Sequence, residues 1–257
     1  MVRSSLMKSL TAENHIKAAP AKVVNHRRER FFYIAMAVVI VGVVFGGFAR
    51  TYFLRPYFDA EPLMPLLHLH GIVFSSWLVL YFTQTVLIAA KRTHVHRRLG
   101  IAGAVIAVLM ILIGSTTAII RAKQGATPLE GIPPLGFLVV PLADILVFAI
   151  LVGAAFYFRR KPDVHKRLML LATISILGAA IARLPFAFLQ AGPPAFFGAT
   201  DLFIVACLVY DLVSRGRIHR ATALGGLLIV ASQPLRLWLG TTDAWMAFAA
   251  WLTSWVG

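Results

Sequence analysis

Four charged side chains lie inside or near the ends of long apolar stretches, where each needs a partner or a function. An unpaired charge at the centre of a lipid bilayer costs on the order of 3 kcal/mol on insertion scales, so such residues are expected to face inward and pair. Arginine keeps its charge, and therefore either meets an aspartate or holds an anionic ligand. The same residues could equally be structural ion pairs that fix the register of helices. The four residues are Asp144, Arg183, Asp201 and Arg236.

Two histidines, His68 and His70, stand where the second apolar stretch begins. Residues two apart lie about 200° apart around a helix, so both reach one site only if the helix begins after His68. Pro62 and Pro65 lie just upstream and allow such a late start. Together with the aspartates and arginines, these imidazoles would form a site able to bind a cation, a haem, a quinone head group or an acidic metabolite.

A stripe of polar and aromatic residues continues from His70 along the same stretch. Trp77 and Gln84 follow His70 at intervals of seven residues, and two helical turns take about 7.2 residues. An amide directed into lipid would have no hydrogen-bond partner, so this face is expected to point into the bundle. The stripe predicts either helix packing, with Gln84 bonded to a neighbouring helix, or one wall of a ligand pocket.

Three short basic loops, each joining two apolar stretches, contain a histidine. Neutral imidazole binds both haem iron and metal ions, so two of these histidines, together with His70, are candidate ligands for haem b or a metal ion. The alternative is an interfacial histidine in contact with anionic lipid, because each is flanked by Arg or Lys. The candidate ligands are His96 and His165, and the third loop carries His219.

The chain that carries these residues is too apolar for a water-soluble domain. Of its 257 residues, 59% are hydrophobic and 14% are charged, and its mean hydropathy is +0.80. The net charge of +15 does not indicate nucleic-acid binding, because the basic residues are interleaved with apolar runs of bilayer length. A single cysteine, Cys207, excludes a disulfide framework within one chain.

Seven apolar runs are long enough to cross a bilayer, which takes about 20 residues in a helix. The sequence therefore predicts an all-α, polytopic membrane helix bundle with seven transmembrane helices. Residues 1–31 are expected to form a disordered basic tail in the cytoplasm, residues 32–240 the transmembrane domain, and residues 241–257 a Trp-rich interfacial helix. The predicted spans lie near 32–50, 67–90, 99–120, 135–158, 168–189, 197–213 and 221–240.

The distribution of Lys and Arg predicts the orientation of the chain. Of the 25 Lys and Arg residues, 19 fall in the N-terminal tail and the three basic loops, which share one side if there are seven spans. The positive-inside rule places that side, with the N-terminus, in the cytoplasm and the C-terminus outside. We expect a protein of the bacterial inner membrane that contacts the lipid bilayer, with anionic lipid at its cytoplasmic face.

After a lone first helix, the remaining spans form three hairpins, and two of these share a pattern. In the second hairpin Asp144 is followed by His165 and then by Arg183, and the third hairpin repeats this order at nearly the same spacing. Aligned on their histidines, both hairpins place an acid and an arginine toward the outer end. The predicted ligand site there comprises His68, His70, Trp77, Gln84, Asp144, Arg183, Asp201 and Arg236.

Several motifs together resemble those of a group of uncharacterised bacterial multi-pass membrane proteins, over residues of about 60 to 250. That resemblance implies a membrane bundle and brings no activity with it. A weaker resemblance is to cytochrome b561-like membrane proteins, where a His, a Gln and a later His-x-x-Leu-Gly segment recur, and this implies haem binding. The motifs are His68-x-His70-Gly71, Trp77, Gln84, His96-Arg97-Arg98-Leu99-Gly100, His165-Lys166-Arg167-Leu168-Met169 and Ser232-Gln233-Pro234-Leu235-Arg236.

Three kinds of function are compatible with these observations. The first is a redox or cofactor-binding membrane protein that uses haem, a metal ion or a quinone. The second is a transporter of a small solute or ion, with the aspartates and arginines in a gated site. The third is a non-catalytic assembly or scaffold protein in which all the charges are structural. The sequence identifies neither a catalytic residue nor a protein partner.

Overall fold

The structure of the chain, a computed structural model, describes residues 25–58, 62–126 and 131–256. Every regular element in this part is a helix, and seven helices are long and apolar enough to cross a membrane. The prediction of an all-α chain with seven such helices is confirmed, whereas its lone helix with three hairpins and its orientation stay predictions. The helices longer than five residues are α1 (His26–Phe48), α2 (Pro65–Ala89), α3 (Thr93–Lys123), α4 (Val139–Tyr157), α5 (Pro162–Ser175), α6 (Pro193–Arg215), α7 (Arg220–Leu239) and α8 (Asp243–Ser254).

Local sequence explains where several helices begin. The Asn25 side chain accepts a hydrogen bond from the backbone N–H of Arg27 at 3.0 Å, and this cap starts α1 at His26. Residues 26–31, which were predicted to belong to the disordered tail, are therefore helical, and residues 1–24 of that tail lie outside the described residues. Helices α2, α5 and α6 each begin with proline, whose missing N–H is tolerated in the first turn.

Contacts between helices distinguish two ends of the bundle. At one end, the ring of His96 at the start of α3 lies 6.3 Å from the ring of His165 at the start of α5, and we call this the His96 end. At the other end, Tyr52 just beyond α1 packs so closely on Gly71 that a Cβ there would lie 2.3 Å from the tyrosine ring. We call this second region, which lies near the start of α2, the His70 end.

Helix α5 is enclosed by its neighbours and ends early. It packs against α4, α6 and α7, and its helical geometry breaks after Ser175, resuming as a short turn at Gly178–Ile181. Here α1 comes so close that a Cβ on Gly47 would lie 2.1 Å from the carbonyl oxygen of Ala180, so only glycine fits. This contact fixes the backbone just before Arg183.

Helix α8 is attached to the bundle by specific hydrogen bonds. The indole N–H of Trp245 donates to the carbonyl of Leu135 at 2.8 Å, and Lys123 at the end of α3 donates to the carbonyl of Val256. Trp245 is buried against protein, whereas Trp251 and Trp255 remain exposed. Helix α8 falls within the predicted segment 241–257, and its location at the membrane interface stays a prediction. Of the three tryptophans in this segment, Trp245 packs against protein.

Candidate functional site

Arg236 and Asp144 form an ion pair between α7 and α4. The arginine side chain is only 3% exposed, and its guanidinium donates to one Asp144 carboxylate oxygen. It also donates to the hydroxyl of Ser232 at 2.6 Å and lies 5.2 Å from the centre of the Phe197 ring. Both charges of this pair are neutralised within the bundle, as insertion energetics requires.

Asp201 has a different partner from the one that the sequence suggested. Its carboxylate accepts a hydrogen bond of 2.7 Å from the side-chain amide of Gln233 on α7, and no arginine reaches it among the described residues. The repeated order of acid, histidine and arginine therefore yields one Asp–Arg pair rather than two. The reason is the rotation of α7, which places Gln233 toward α6 and Arg236 toward α4.

Arg183 is left without a carboxylate in the part of the chain that the structure describes. Its guanidinium donates to the carbonyl of Ala179 at 2.6 Å and lies 5.0 Å from the ring centre of Phe48. The side chain is exposed at the His70 end, close enough to Arg121 and to His70 for its charge to act on both. Among the described residues, Arg183 is therefore one of several basic groups at this end and has no carboxylate partner.

His70 contributes the second polar group at this end. Its ring stacks on Phe74, with 4.1 Å between ring centres and 20° between planes, and its Nδ1 atom is buried without a hydrogen-bond partner among the described residues. Such an orphaned polar atom is uncommon in folded proteins and indicates an absent partner. His70 and Arg183 together form the candidate site, which we call the anion site.

His68 does not join His70 in this site. Helix α2 begins at Pro65, upstream of both histidines, so the two side chains leave the helix in different directions. The backbone carbonyl of His68 accepts a hydrogen bond of 3.2 Å from the Tyr52 hydroxyl, and its exposed ring lies 6.0 Å from the ring of Tyr52. The condition under which both imidazoles could reach one site, a helix that begins after His68, is not met, because the helix begins at Pro65.

Trp77 lies at the centre of the predicted stripe and packs into the core. It is 1% exposed, its indole N–H donates to the hydroxyl of Thr173 at 3.3 Å, and its ring meets Phe148 edge to face at 5.1 Å. The stripe on α2 does face the bundle, but around Trp77 it is packed against neighbouring side chains and leaves no pocket for a ligand in the described part of the chain. Trp77 therefore separates the anion site from the residues at the His96 end.

Gln84, His96 and His165 lie together at the His96 end. The Gln84 amide donates to the backbone carbonyl of His96 at 3.2 Å, and the rings of His96 and His165 are nearly perpendicular, at 79°. His70 precedes Gln84 by 14 residues in the same helix, which corresponds to about 21 Å. The candidate metal or haem set of His70, His96 and His165 is therefore divided between the two ends of the bundle.

A buried ionic cluster near the His96 end was missed by the sequence analysis. Asp211, on α6, is 1% exposed and bonds Arg167 of α5, which is 3% exposed. The same carboxylate accepts from the hydroxyl of Thr222 at 2.5 Å and from the backbone N–H of His219 at 3.1 Å. The available signal was that Asp211 lies eight residues before a loop histidine, inside an apolar stretch, where its charge required a partner.

A second group of charges braces α1, α5 and α6 beside this cluster. Lys166 lies 2.7 Å from Glu29 and 2.6 Å from Asp163, and Arg215 lies 2.8 Å from Asp163. The sequence analysis counted Lys166 and Arg215 only as charges that indicate the orientation of the chain. They are partly exposed, so their role is to join helices at the membrane surface.

His219 acts as a helix cap rather than as a ligand. Its Nδ1 accepts a hydrogen bond of 3.1 Å from the backbone N–H of Ala221, at the start of α7. Burial, reinforced by the positive charge of Arg167, lowers the pKa of His219 below its ordinary value. The neutral imidazole is the form that can accept this bond.

The arrangement of possible metal ligands and the cavities limit which ligands the described residues could bind. In residues 25–58, 62–126 and 131–256, no group of three or more His, Cys, Asp and Glu side chains could hold a metal ion. One cavity, of about 590 Å³, is an open groove along α2 lined in part by exposed apolar residues such as Ile72 and Val79. Another, of about 10 Å³, lies beside Asp211 and Cys207 and approaches the size of one water.

Comparisons with protein-family models, with curated proteins and with solved structures found no match for this chain. The resemblances to a group of bacterial multi-pass proteins and to cytochrome b561-like proteins therefore stay predictions. What the structure supports is a membrane helix bundle with two separated groups of incompletely bonded polar residues, one at each end.

Proposed function

We propose that this chain is a multi-pass protein of the bacterial inner membrane and that it binds an anionic group at the anion site, on Arg183 and His70. The His96 end would face the cytoplasm and the His70 end the outside. The support for this orientation is the concentration of 19 of the 25 Lys and Arg residues in the N-terminal tail and the three basic loops. The anion site would then open to the outer membrane surface.

The observation that carries the proposal is that Arg183 has no carboxylate partner within residues 25–58, 62–126 and 131–256. The two aspartates that the sequence grouped with it have other partners, Asp144 bonding Arg236 and Asp201 bonding Gln233. A guanidinium does not lose its proton in proteins, so Arg183 keeps its positive charge. Arg121 lies near enough to repel Arg183, and an anionic oxygen bound at the guanidinium would offset that repulsion.

His70 narrows the kind of ligand to one with negatively charged oxygen atoms. The free Nδ1 can carry a proton and donate it to an oxygen acceptor, while the stacked Phe74 ring holds the imidazole in place. Carboxylate and phosphate groups both accept from an arginine fork and from an imidazole N–H. The source of such a group is either a small acid outside the cell or the head group of an anionic lipid.

Ligand-dependent stabilisation in lipid nanodiscs tests the proposal for soluble anions. Thermal unfolding is followed in phosphatidylcholine discs with inorganic phosphate or succinate, against sodium chloride at equal ionic strength. A ligand that binds only the folded state raises the unfolding temperature. We expect such a rise in the wild type, and its loss in Arg183→Gln and His70→Leu.

A second arm of the experiment tests whether the anionic group comes from a lipid head group. Here phosphatidylglycerol replaces part of the phosphatidylcholine, and no soluble anion is added. Stabilisation by the lipid that depends on Arg183 identifies a lipid head group as the ligand. The matched control is Arg98→Gln, because Arg98 is also an exposed arginine but lies at the His96 end. Equal responses of Arg183→Gln and wild type in both arms, or no response in either, would overturn the proposal.

A further inference from the structure

The His96 end contains a group of side chains that neither the anion site nor the ion pairs explain. Gln84 of α2, His96 of α3 and His165 of α5 converge there from three different helices. Each contributes an atom that can donate a lone pair, and none of the three is a carboxylate or a thiolate. This group is independent of the function proposed above, since Trp77 lies between the two ends.

The hydrogen bonds in this group leave its lone pairs free. His165 Nδ1 lies 2.8 Å from the carbonyl oxygen of Ala155, which can only accept, so the proton is on Nδ1 and Nε2 carries a lone pair. A ring whose second nitrogen is held by a carbonyl is the usual arrangement of a metal-ligating histidine. The hydrogen bond to Ala155 therefore holds the His165 ring in the tautomer that a metal ligand needs, with Nε2 free to bind.

Two further atoms in the same place have no partner. His96 Nδ1 and Gln84 Oε1 are both buried without a hydrogen bond among the described residues. The Gln84 amide is already fixed through its Nε2, which donates to the His96 carbonyl at 3.2 Å, so its oxygen is positioned next to His96. Buried polar atoms are rarely left unpaired, so each of these two atoms calls for a partner.

The separation of the two imidazoles suits a shared metal ion. A metal–nitrogen bond to imidazole is about 2.0–2.1 Å, and the ring centre lies roughly 1 Å beyond the nitrogen, so two ligating rings have centres up to roughly 6 Å apart. The observed distance of 6.3 Å, with the rings at 79°, lies just beyond this limit. Small rotations of either side chain are sufficient to reach a common ion.

We propose that Gln84, His96 and His165 bind one divalent transition-metal ion at the His96 end, through Oε1 of Gln84, Nδ1 of His96 and Nε2 of His165. Two imidazoles and an amide oxygen favour Zn²⁺, Cu²⁺ or Ni²⁺, because Ca²⁺ and Mg²⁺ prefer sets made wholly of oxygen. Water completes the coordination. Such an ion would tie together α2, α3 and α5.

Metal titration of the full chain in nanodiscs tests this assignment. The protein, purified without a polyhistidine tag, is stripped with a chelator and titrated with Zn²⁺ or Cu²⁺, and bound metal is measured by elemental analysis. We expect one ion per chain, with about tenfold or greater loss of affinity in His96→Gln and His165→Gln. For Cu²⁺, electron paramagnetic resonance should show coupling to two ligating nitrogens in the wild type.

Two further variants keep the test decisive. His94→Gln is the matched control, since His94 is exposed and lies two residues before His96, and it should bind like the wild type. Gln84→Glu replaces the amide oxygen by a carboxylate at the same position and should tighten binding, which a misfolded protein would not do. A chain that binds no stoichiometric metal, or that loses none of its affinity in His96→Gln, would overturn the proposal.

Discussion

Asp211 at the end of α6 and Arg167 at the start of α5 form an ion pair that is closed off from solvent, with 1% and 3% of their side chains exposed. The guanidinium bonds one carboxylate oxygen through two nitrogens, at 2.5 and 3.1 Å. The other oxygen accepts from Thr222 and from the backbone of His219, which lie at the start of α7. One carboxylate therefore joins α5, α6 and α7.

Asp211→Asn should destabilise the bundle strongly. The substitution keeps the size of the side chain but leaves Arg167 as a buried charge without a counterion, which typically costs about 3–5 kcal/mol. The free energy of unfolding, measured by denaturing-detergent titration in mixed micelles, gives the difference. Asp243→Asn, at an exposed position in the first turn of α8, is the control and should change stability little. A similar small change for both variants would show that Asp211 contributes little to folding.

Asp144→Asn and Asp201→Asn should differ in their effects, although both acids lie in equivalent places in the sequence. Asp144 neutralises the buried Arg236, so its loss is expected to cost about 2–4 kcal/mol. Asp201 accepts from the neutral Gln233, an interaction that asparagine can replace, so a change below about 1 kcal/mol is expected. The free energies of unfolding of the two variants, measured under identical conditions, give the difference. Equal losses would mean that Asp201 also forms an ion pair with an arginine.

The fold was predictable because the length and apolarity of the segments leave little choice inside a bilayer. Backbone groups must be bonded within each span, so seven apolar runs become seven helices. The same energetics predicted that buried charges such as Asp144 would be paired, and the structure shows that its partner is Arg236. The start of α1 was misplaced because the cap at Asn25 extends the helix into a polar segment, where hydropathy gives no signal.

The grouping of polar residues was less predictable because it depends on helix rotation and crossing. The sequence predicted one site containing His68, His70 and both aspartates. In the structure His68 lies beside Tyr52, while Asp144 bonds Arg236 and Asp201 bonds Gln233. Spacing along a helix defines which residues share a face, but not which neighbouring helix that face meets. For the same reason the sequence left open whether Arg183 meets an aspartate or an anionic ligand, and the structure gives it no acid partner among the described residues.

Gly47→Ala should be severely destabilising although it adds one methyl group. The new Cβ would lie 2.1 Å from the backbone carbonyl oxygen of Ala180, so α1 and the turn after α5 must move apart. Overpacking of this kind costs about 1–3 kcal/mol or more. Gly153→Ala on α4 is the control, because nothing lies within 4 Å of its added Cβ, and there alanine should be neutral or stabilising by up to about 1 kcal/mol. Thermal unfolding of both variants in nanodiscs measures the difference, and equal behaviour would contradict the close contact.

His219→Asn should weaken the dependence of stability on pH. The pKa of His219 is lowered in the folded state, first by burial and then by Arg167, so the unfolded chain binds this proton more readily. The contribution of His219 is therefore complete above the ordinary histidine pKa of about 6.5, and it declines as the pH falls from there toward the lower folded value. Asparagine can cap α7 in the same way without titrating. Unfolding measured at about pH 7.5 and about pH 5.5 should show a smaller loss of stability in the variant than in the wild type. His94→Asn, at an exposed position, should retain the wild-type pH dependence, and an unchanged dependence in His219→Asn would mean that other groups govern acid sensitivity.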